Sequence, residues 1–218
     1  MMMDKVKRPK VDIKQEINYY SIDELVELFA AAKDTNIYTP ILLASLLGLR
    51  RSELLALKWD AFNFKNGTIT IKRKMTRDKE MSKDVVSRSL KNSSSNRTLV
   101  ITDFLICHLD ELKKSRSTAR NQNYLEFVCI DKSGKLPTLN MITNRFRAFI
   151  NKEGFRKIRF HDLRHSCASM LLSLGYPMKD IQEWLGHSNY STTANIYTHI
   201  DLEDKKRIAL KLNEIFKG

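Results

Sequence analysis

The sequence predicts a mainly α-helical chain with a small antiparallel β-sheet at one edge, an α+β architecture. Two observations carry that expectation. Apolar residues recur at helical spacing behind recognisable caps along most of the chain. Only between residues 68 and 101 does the pattern change to alternation, as in strands with one covered face. A third observation bears on partners. Lys and Arg number 38 against 25 Asp and Glu, a formal net charge of +13. Such a balance suits a chain that meets a polyanion, with a merely basic soluble protein as the plainer alternative.

Residues 1–18 are charged and irregular, and read as a basic linker or arm before a single domain at 19–218. The first helix starts where Ser21 and Glu24 can form a capping box and Tyr20 can staple onto Leu25. It runs to about 33. A second helix over about 38–47 ends at Gly48. A short third helix begins near Ser52, with Leu54, Leu55 and Leu57 turned inward. Residues 68–72, 85–89 and 97–101 alternate as strands of one small sheet.

From 72 to 97 the chain carries nine Lys or Arg against three Asp or Glu. A solvated face would explain this run. In so basic a chain, contact with a nucleic-acid backbone is the better reading, and Lys72, Arg73, Lys74 and Arg97 are the candidates. The polar tract 91–97 is a turn that puts Lys91 at a strand end. Thr102 caps a helix to about 116, residues 126–130 read as a short strand and 131–134 as a turn, and Pro137 and Thr138 open a helix through 150. Helices follow over 161–174, stopped by Gly175, over 178–185, stopped by Gly186, and over 191–197. A last helix, 202–216, has Ile208, Leu212 and Ile215 on one stripe.

Cys107, Cys129 and Cys167 are far apart and form no CxxC pair, which argues for a reducing cytoplasm and against a disulfide framework or zinc ribbon. No apolar run reaches the ~18 residues of a membrane span, and the N-terminus lacks a signal-peptide core.

Reactive side chains concentrate in residues 161–199, HDLRHSCASMLLSLGYPMKDIQEWLGHSNYSTTANIYTH. His161 and Arg164 are three apart and so share a helix face. His187 follows a glycine, and Tyr197 lies in a short polar segment. A base-capable ring, a guanidinium and a phenol together suit the holding of a phosphodiester while a hydroxyl attacks it.

Four pieces in order and spacing, LGLRRSELLALKW, the Lys91 turn before Arg97-Thr98-Leu99, HDLRHS and LGHSNYSTTANIYTH, resemble the catalytic domain of the tyrosine recombinases, specifically the phage and conjugative-transposon integrases. The resemblance covers about 19–218. It implies site-specific cutting and rejoining of DNA through a 3′-phosphotyrosine, with neither metal nor cofactor. It assigns Tyr197 as nucleophile and Arg50 and Arg164 as the phosphate grip, because the guanidinium fork donates in pairs and stays charged. Lys91 would protonate the departing 5′ oxygen. His161 and His187 would bond the phosphate and manage the tyrosine proton. Glu53 and His165 would support, Glu53 by orienting Arg50 or a histidine.

As partners the resemblance implies double-stranded attachment sites, a tetramer on DNA with helix 202–216 exchanged between protomers, and accessory DNA-bending or excision factors. It also implies further DNA-binding domains upstream, so the chain reads as a catalytic fragment or a truncated homologue of a cytoplasmic, nucleoid-associated protein, bacterial or phage-encoded.

Three other readings are open at this stage. His161 and His165 have the spacing of a zinc metalloprotease helix, but Asp162 stands where the glutamate should follow, and no third ligand stands out. Residues 171–185, broken at Gly175, resemble a helix-turn-helix, which would make the chain a non-catalytic DNA-binding protein. A type IB topoisomerase would share the recombinase chemistry.

Overall fold

The computed structural model describes residues 18–78, 83–87, 96–117, 124–131 and 133–186. The first helix, α1 (Ile22–Ala32), begins with the expected capping box. The Ser21 hydroxyl accepts from the Glu24 amide, and the Glu24 carboxylate accepts from the Ser21 amide. Tyr20 is buried beside this start; its amide donates to the Ser166 hydroxyl and its own hydroxyl donates to the Arg156 carbonyl. The first helix is therefore anchored to the other end of the chain. Helix α2 (Tyr38–Leu46) is buried along nearly its whole length and packs on α6 (Asp162–Ser173). An apolar, all-round helix of this kind belongs at a centre. Helix α3 (Arg51–Leu55) buries Leu54 and Leu55 completely, and each such leucine contributes about 1.5–3 kcal/mol.

The strands depart from the expected single sheet. Strands β1 (Phe62–Asn63), β2 (Thr68–Ile71) and β5 (Arg97–Val100) form a three-stranded antiparallel sheet in the order β1-β2-β5. Among the described residues, strands β3 (Lys74–Asp78) and β4 (Lys83–Ser87) pair only with each other. The 85–89 strand thus has its partner in residues 74–78, where the run of charges hid the pattern. This ribbon is tied to the helices by Asp84, whose carboxylate accepts from the Leu139 amide at the start of α5 (Leu139–Lys152). Residues 126–130 do not make a strand. They hold one bridge, Lys58 to Phe127, with Trp59 N–H donating to Glu126 O and Val128 N–H to Leu57 O. Phe127, Val128 and Cys129 are buried in succession, so no face alternates and no ladder extends.

Helix α4 (Asp103–Ser117) starts where Thr102 accepts from the Leu105 amide, and α5 where Thr138 accepts from the Met141 amide. Between α6 and α7 (Met178–Leu185) the chain turns at Gly175 as expected. Cys167, Ala168, Ile181 and Leu185 pack together across that pair. No helix among the described residues is long and apolar enough to cross a membrane.

Gly48 fixes how closely α7 approaches α2. Its φ is +60°, and a Cβ there would lie 2.2 Å from the Leu185 side chain. Both the left-handed backbone and the missing side chain are needed.

Candidate active site

The centre of the site is a buried carboxylate. Glu53, one turn into α3, is 2% exposed. Its oxygens accept from the Arg50 amide at 3.0 Å and the Arg50 guanidinium at 2.7 Å. The same two oxygens accept from both terminal nitrogens of Arg97, at 3.0 and 3.4 Å. Burial opposes ionisation of Glu53, but Arg97, with Arg50 and Arg164 behind it, outweighs burial and holds the carboxyl below its ordinary range. Glu53 thus holds Arg50 as a shared anion between two cations.

Three arginines then converge on the end of α7. Arg50 donates to Gly186 O at 2.8 Å, Arg164 to Leu185 O at 2.7 Å, and Arg97, through Nε, to Trp184 O at 2.8 Å. The last carbonyls of a helix lack intrahelical partners and carry its negative dipole end, so cations fit there. Gly186 closes the helix in the left-handed region, at φ 68°.

Arg164 is 1% exposed and also donates to Gly48 O at 2.5 Å. Burial, then Arg50, lowers its pKa to about 9, which leaves it a cation at pH 7. Each terminal nitrogen has spent one N–H on a carbonyl, so N–H groups remain for an anion. Arg50 stays half-buried at the edge of the cluster, with 32% of its side chain exposed.

His161 stands at the N-cap position of α6 without a side-chain cap bond, and its ring meets that of His165 edge-on at 5.3 Å. The residue is exposed by area, yet its ring lies among close neighbours. Burial of the ring, then His165 and Arg164, depresses its pKa to about 4. His161 is therefore a neutral base at pH 7. Its folded pKa lies below the ordinary 6.5, so the unfolded chain binds the proton more readily. Stability should fall as pH drops below 6.5 towards 4. In an NMR titration of the DNA-free chain the His161 ring should titrate near 4; titration at 6.5 would contradict this geometry. His165 is half-buried, with its pKa also lowered by burial, and its Nδ1 has no hydrogen-bond partner among the described residues. Asp162, between the two functional positions, is structural. It is buried and accepts from the Arg159 amide and guanidinium. Among the described residues no group of three His, Cys, Asp or Glu could hold a metal ion.

The structure thus brings Arg50, Glu53, Arg164, His161 and His165 to one place. Lys91, His187, Tyr197 and helix 202–216 lie outside the described residues. Of the expected DNA-binding cations, Lys72 is exposed and Lys74 half-buried. Arg73 forms a two-pronged pair with Asp60, at 2.6 and 2.7 Å. Arg97 is 8% exposed, and its Nε and both terminal nitrogens all donate within the protein. A signal for this was present. Arg97, Leu99 and Ile101 share one face at period two, and that face is the core. The carbonyls of residues 48 and 184–186 were beyond sequence reasoning, because every residue carries one.

Comparison with known proteins adds to this geometry. The pattern of the phage integrase family matches residues 19–204. A XerC-like tyrosine recombinase of Caldanaerobacter subterraneus is 30% identical over 222 aligned positions, covering 95% of this chain and 57% of that protein. The ICEBs1 integrase of Bacillus subtilis is 27% identical over 176, covering 79% and 47%. The chain spans about half the length of these curated relatives. The Tn1549 transposon integrase, solved with transposon right end DNA, superposes with a TM-score of 0.76 at 20% identity, over 95% of this chain and 69% of that one. XerA recombinase does so at 0.71 and 22%, over 94% and 66%. At these identities the superpositions speak for the fold.

Proposed function

Because the chain belongs to the phage integrase family, we propose that it is the catalytic domain of a site-specific tyrosine recombinase that cuts and rejoins double-stranded DNA. The observation that carries this reading is the convergence of Arg50 and Arg164 around Glu53, beside the paired rings of His161 and His165. A repressor has no use for two such arginines at the end of a helix. The helix-turn-helix alternative is therefore not favoured.

In this mechanism the two guanidiniums bind the non-bridging oxygens of the scissile phosphate and stabilise charge as it grows on the pentacoordinate phosphorus. Tyr197 Oη attacks phosphorus. Its ordinary pKa near ~10 means that it must give up its proton as it attacks, and His161 or His187 receives it. The bond from phosphorus to O5′ breaks, and Lys91 supplies the proton to that oxygen. The product is a 3′-phosphotyrosine. The 5′ hydroxyl of a second strand then attacks, the bond to Tyr197 breaks, and a phosphodiester re-forms. The bond energy stays in an ester throughout, so ATP is not required, and the arginines do the charge neutralisation that a metal could otherwise do.

Lys72, Arg73 and Lys74 would contact the backbone near the site. A tetramer on the attachment sites, helix 202–216 exchanged between protomers, and accessory bending or excision factors complete the proposal. The test is covalent trapping. With nicked duplexes from candidate attachment sites, in chelator, a protein–DNA adduct should appear on a denaturing gel and be absent for Tyr197→Phe. An adduct that persists in Tyr197→Phe would overturn the assignment.

A further inference from the structure

The three carbonyls that end α7 are taken by arginines from three different elements: Arg97 of β5, Arg164 of α6, and Arg50 at the entrance to α3. Two of those arginines form the proposed phosphate grip. The third has its Nε and both terminal nitrogens bonded within the protein. We propose that Arg97 is a positioning residue of the site: it sets the end of α7 and the plane of the Glu53 carboxylate, and it does not contact DNA. The inference rests on the recombinase reading and deepens it.

The geometry supports this in two ways. Glu53 Oε1 accepts from the guanidiniums of both Arg50 and Arg97, and Oε2 accepts from the Arg50 amide and the Arg97 guanidinium. Each oxygen bridges the two arginines, so the carboxylate cannot turn without breaking bonds on both sides. Removing Arg97 frees Glu53 to rotate, and the aim of Arg50 with it. At the same time Arg97 Nε ties Trp184 O, and so the eight-residue α7, to the sheet. Such a short helix cannot hold its own C-terminal carbonyls, and Gly186 directly precedes His187. One side chain therefore governs both the angle of a phosphate-binding arginine and the starting point of the segment that leads to His187 and Tyr197.

Lysine is the informative substitution. It keeps a cation beside Glu53, but it cannot donate to two carboxylate oxygens and a carbonyl in the fixed fork of a guanidinium. Misplacement of a positioning group by about 1 Å costs on the order of 10²-fold in rate. With Arg97→Lys, adduct formation at saturating nicked DNA should therefore be about tenfold to a hundredfold slower, in protein that still melts cooperatively. DNA affinity and its salt dependence should match the wild type.

Adduct formation at the wild-type rate would overturn the proposal. So would a salt slope shallower by about one, the mark of a lost phosphate contact. Should Arg97→Lys lose its cooperative melt, Arg97→Gln keeps a donor towards Glu53 without a buried cation, and the same rate and slope decide. If the wild type gives no adduct on any duplex, the recombinase reading itself fails and takes this inference with it. If the wild type reacts and the variant is unaffected, only the inference fails.

Discussion

Glu53→Ala should destabilise the fold by about 3–5 kcal/mol, because removing one partner of a buried ion pair leaves the other charge without compensation. Arg97 would be that charge. Its side chain is 5% exposed, and two of its three donor nitrogens are directed at Glu53. Arg50 would lose both its orienting bond and its main-chain tie. For a domain of this size, the melting temperature should fall by about 6–20 °C. Glu53→Gln keeps the shape and an acceptor, and should cost less.

The pH dependence has a definite sign. The folded pKa of Glu53 is held below its ordinary 4.5, so its contribution is fully present above 4.5 and lost as pH falls below that value. Urea melts of wild type and Glu53→Ala at neutral and acidic pH measure both effects. A loss below about 1 kcal/mol would place the pair among exposed ion pairs, contrary to the burial described above.

Arg50→Ala and Arg164→Ala should each slow strand cleavage by about 10²–10³-fold, the usual loss when one preorganised donor to a developing oxyanion is removed. The two differ in what else they disturb. Arg50 is half-buried at the edge of the cluster, so its alanine variant should fold and still bind DNA, with one phosphate contact fewer. Arg164 is enclosed, and truncating it strands Gly48 O and Leu185 O. Each buried carbonyl left without a donor costs about 1–3 kcal/mol, so Arg164→Ala should also lower the melting temperature. Lysine should rescue neither, since it cannot reproduce the fork. Single-turnover cleavage beside thermal melts separates the two contributions. A wild-type cleavage rate in either variant would remove that arginine from the phosphate grip.

Much of this was legible in the residues themselves. Caps and apolar periodicity located every described α-helix, because Ser21, Thr102, Thr138, Gly48, Gly175 and Gly186 are local signals that need no tertiary context. The sheet was less legible. Strand β3, KMTRD, buries only Met75, so its pairing with β4 left little trace in the pattern. Residues 126–130 misled in the opposite direction, since their apolar run reflects burial on all sides and not a ladder.

For the site, spacing was enough to pair His161 with Arg164 and Arg50 with Glu53. It could not show that the arginines meet on the carbonyls of α7, since main-chain acceptors leave no mark in a sequence. The charge of Arg97 suggested solvent. Its register with Leu99 and Ile101 indicated the core, and Glu53 is what makes burial of a cation tolerable there.

The most direct test of the whole account is the chemical identity of the protein–DNA bond. Adducts from wild-type protein and nicked duplex, digested with protease and nuclease, should yield by mass spectrometry a single nucleotide-bearing peptide, with the phosphate on Tyr197. Attachment to Tyr190, Tyr176 or any serine would contradict it. Such a result would mean that Arg50, Arg164 and His161 aim a phosphate at a different nucleophile.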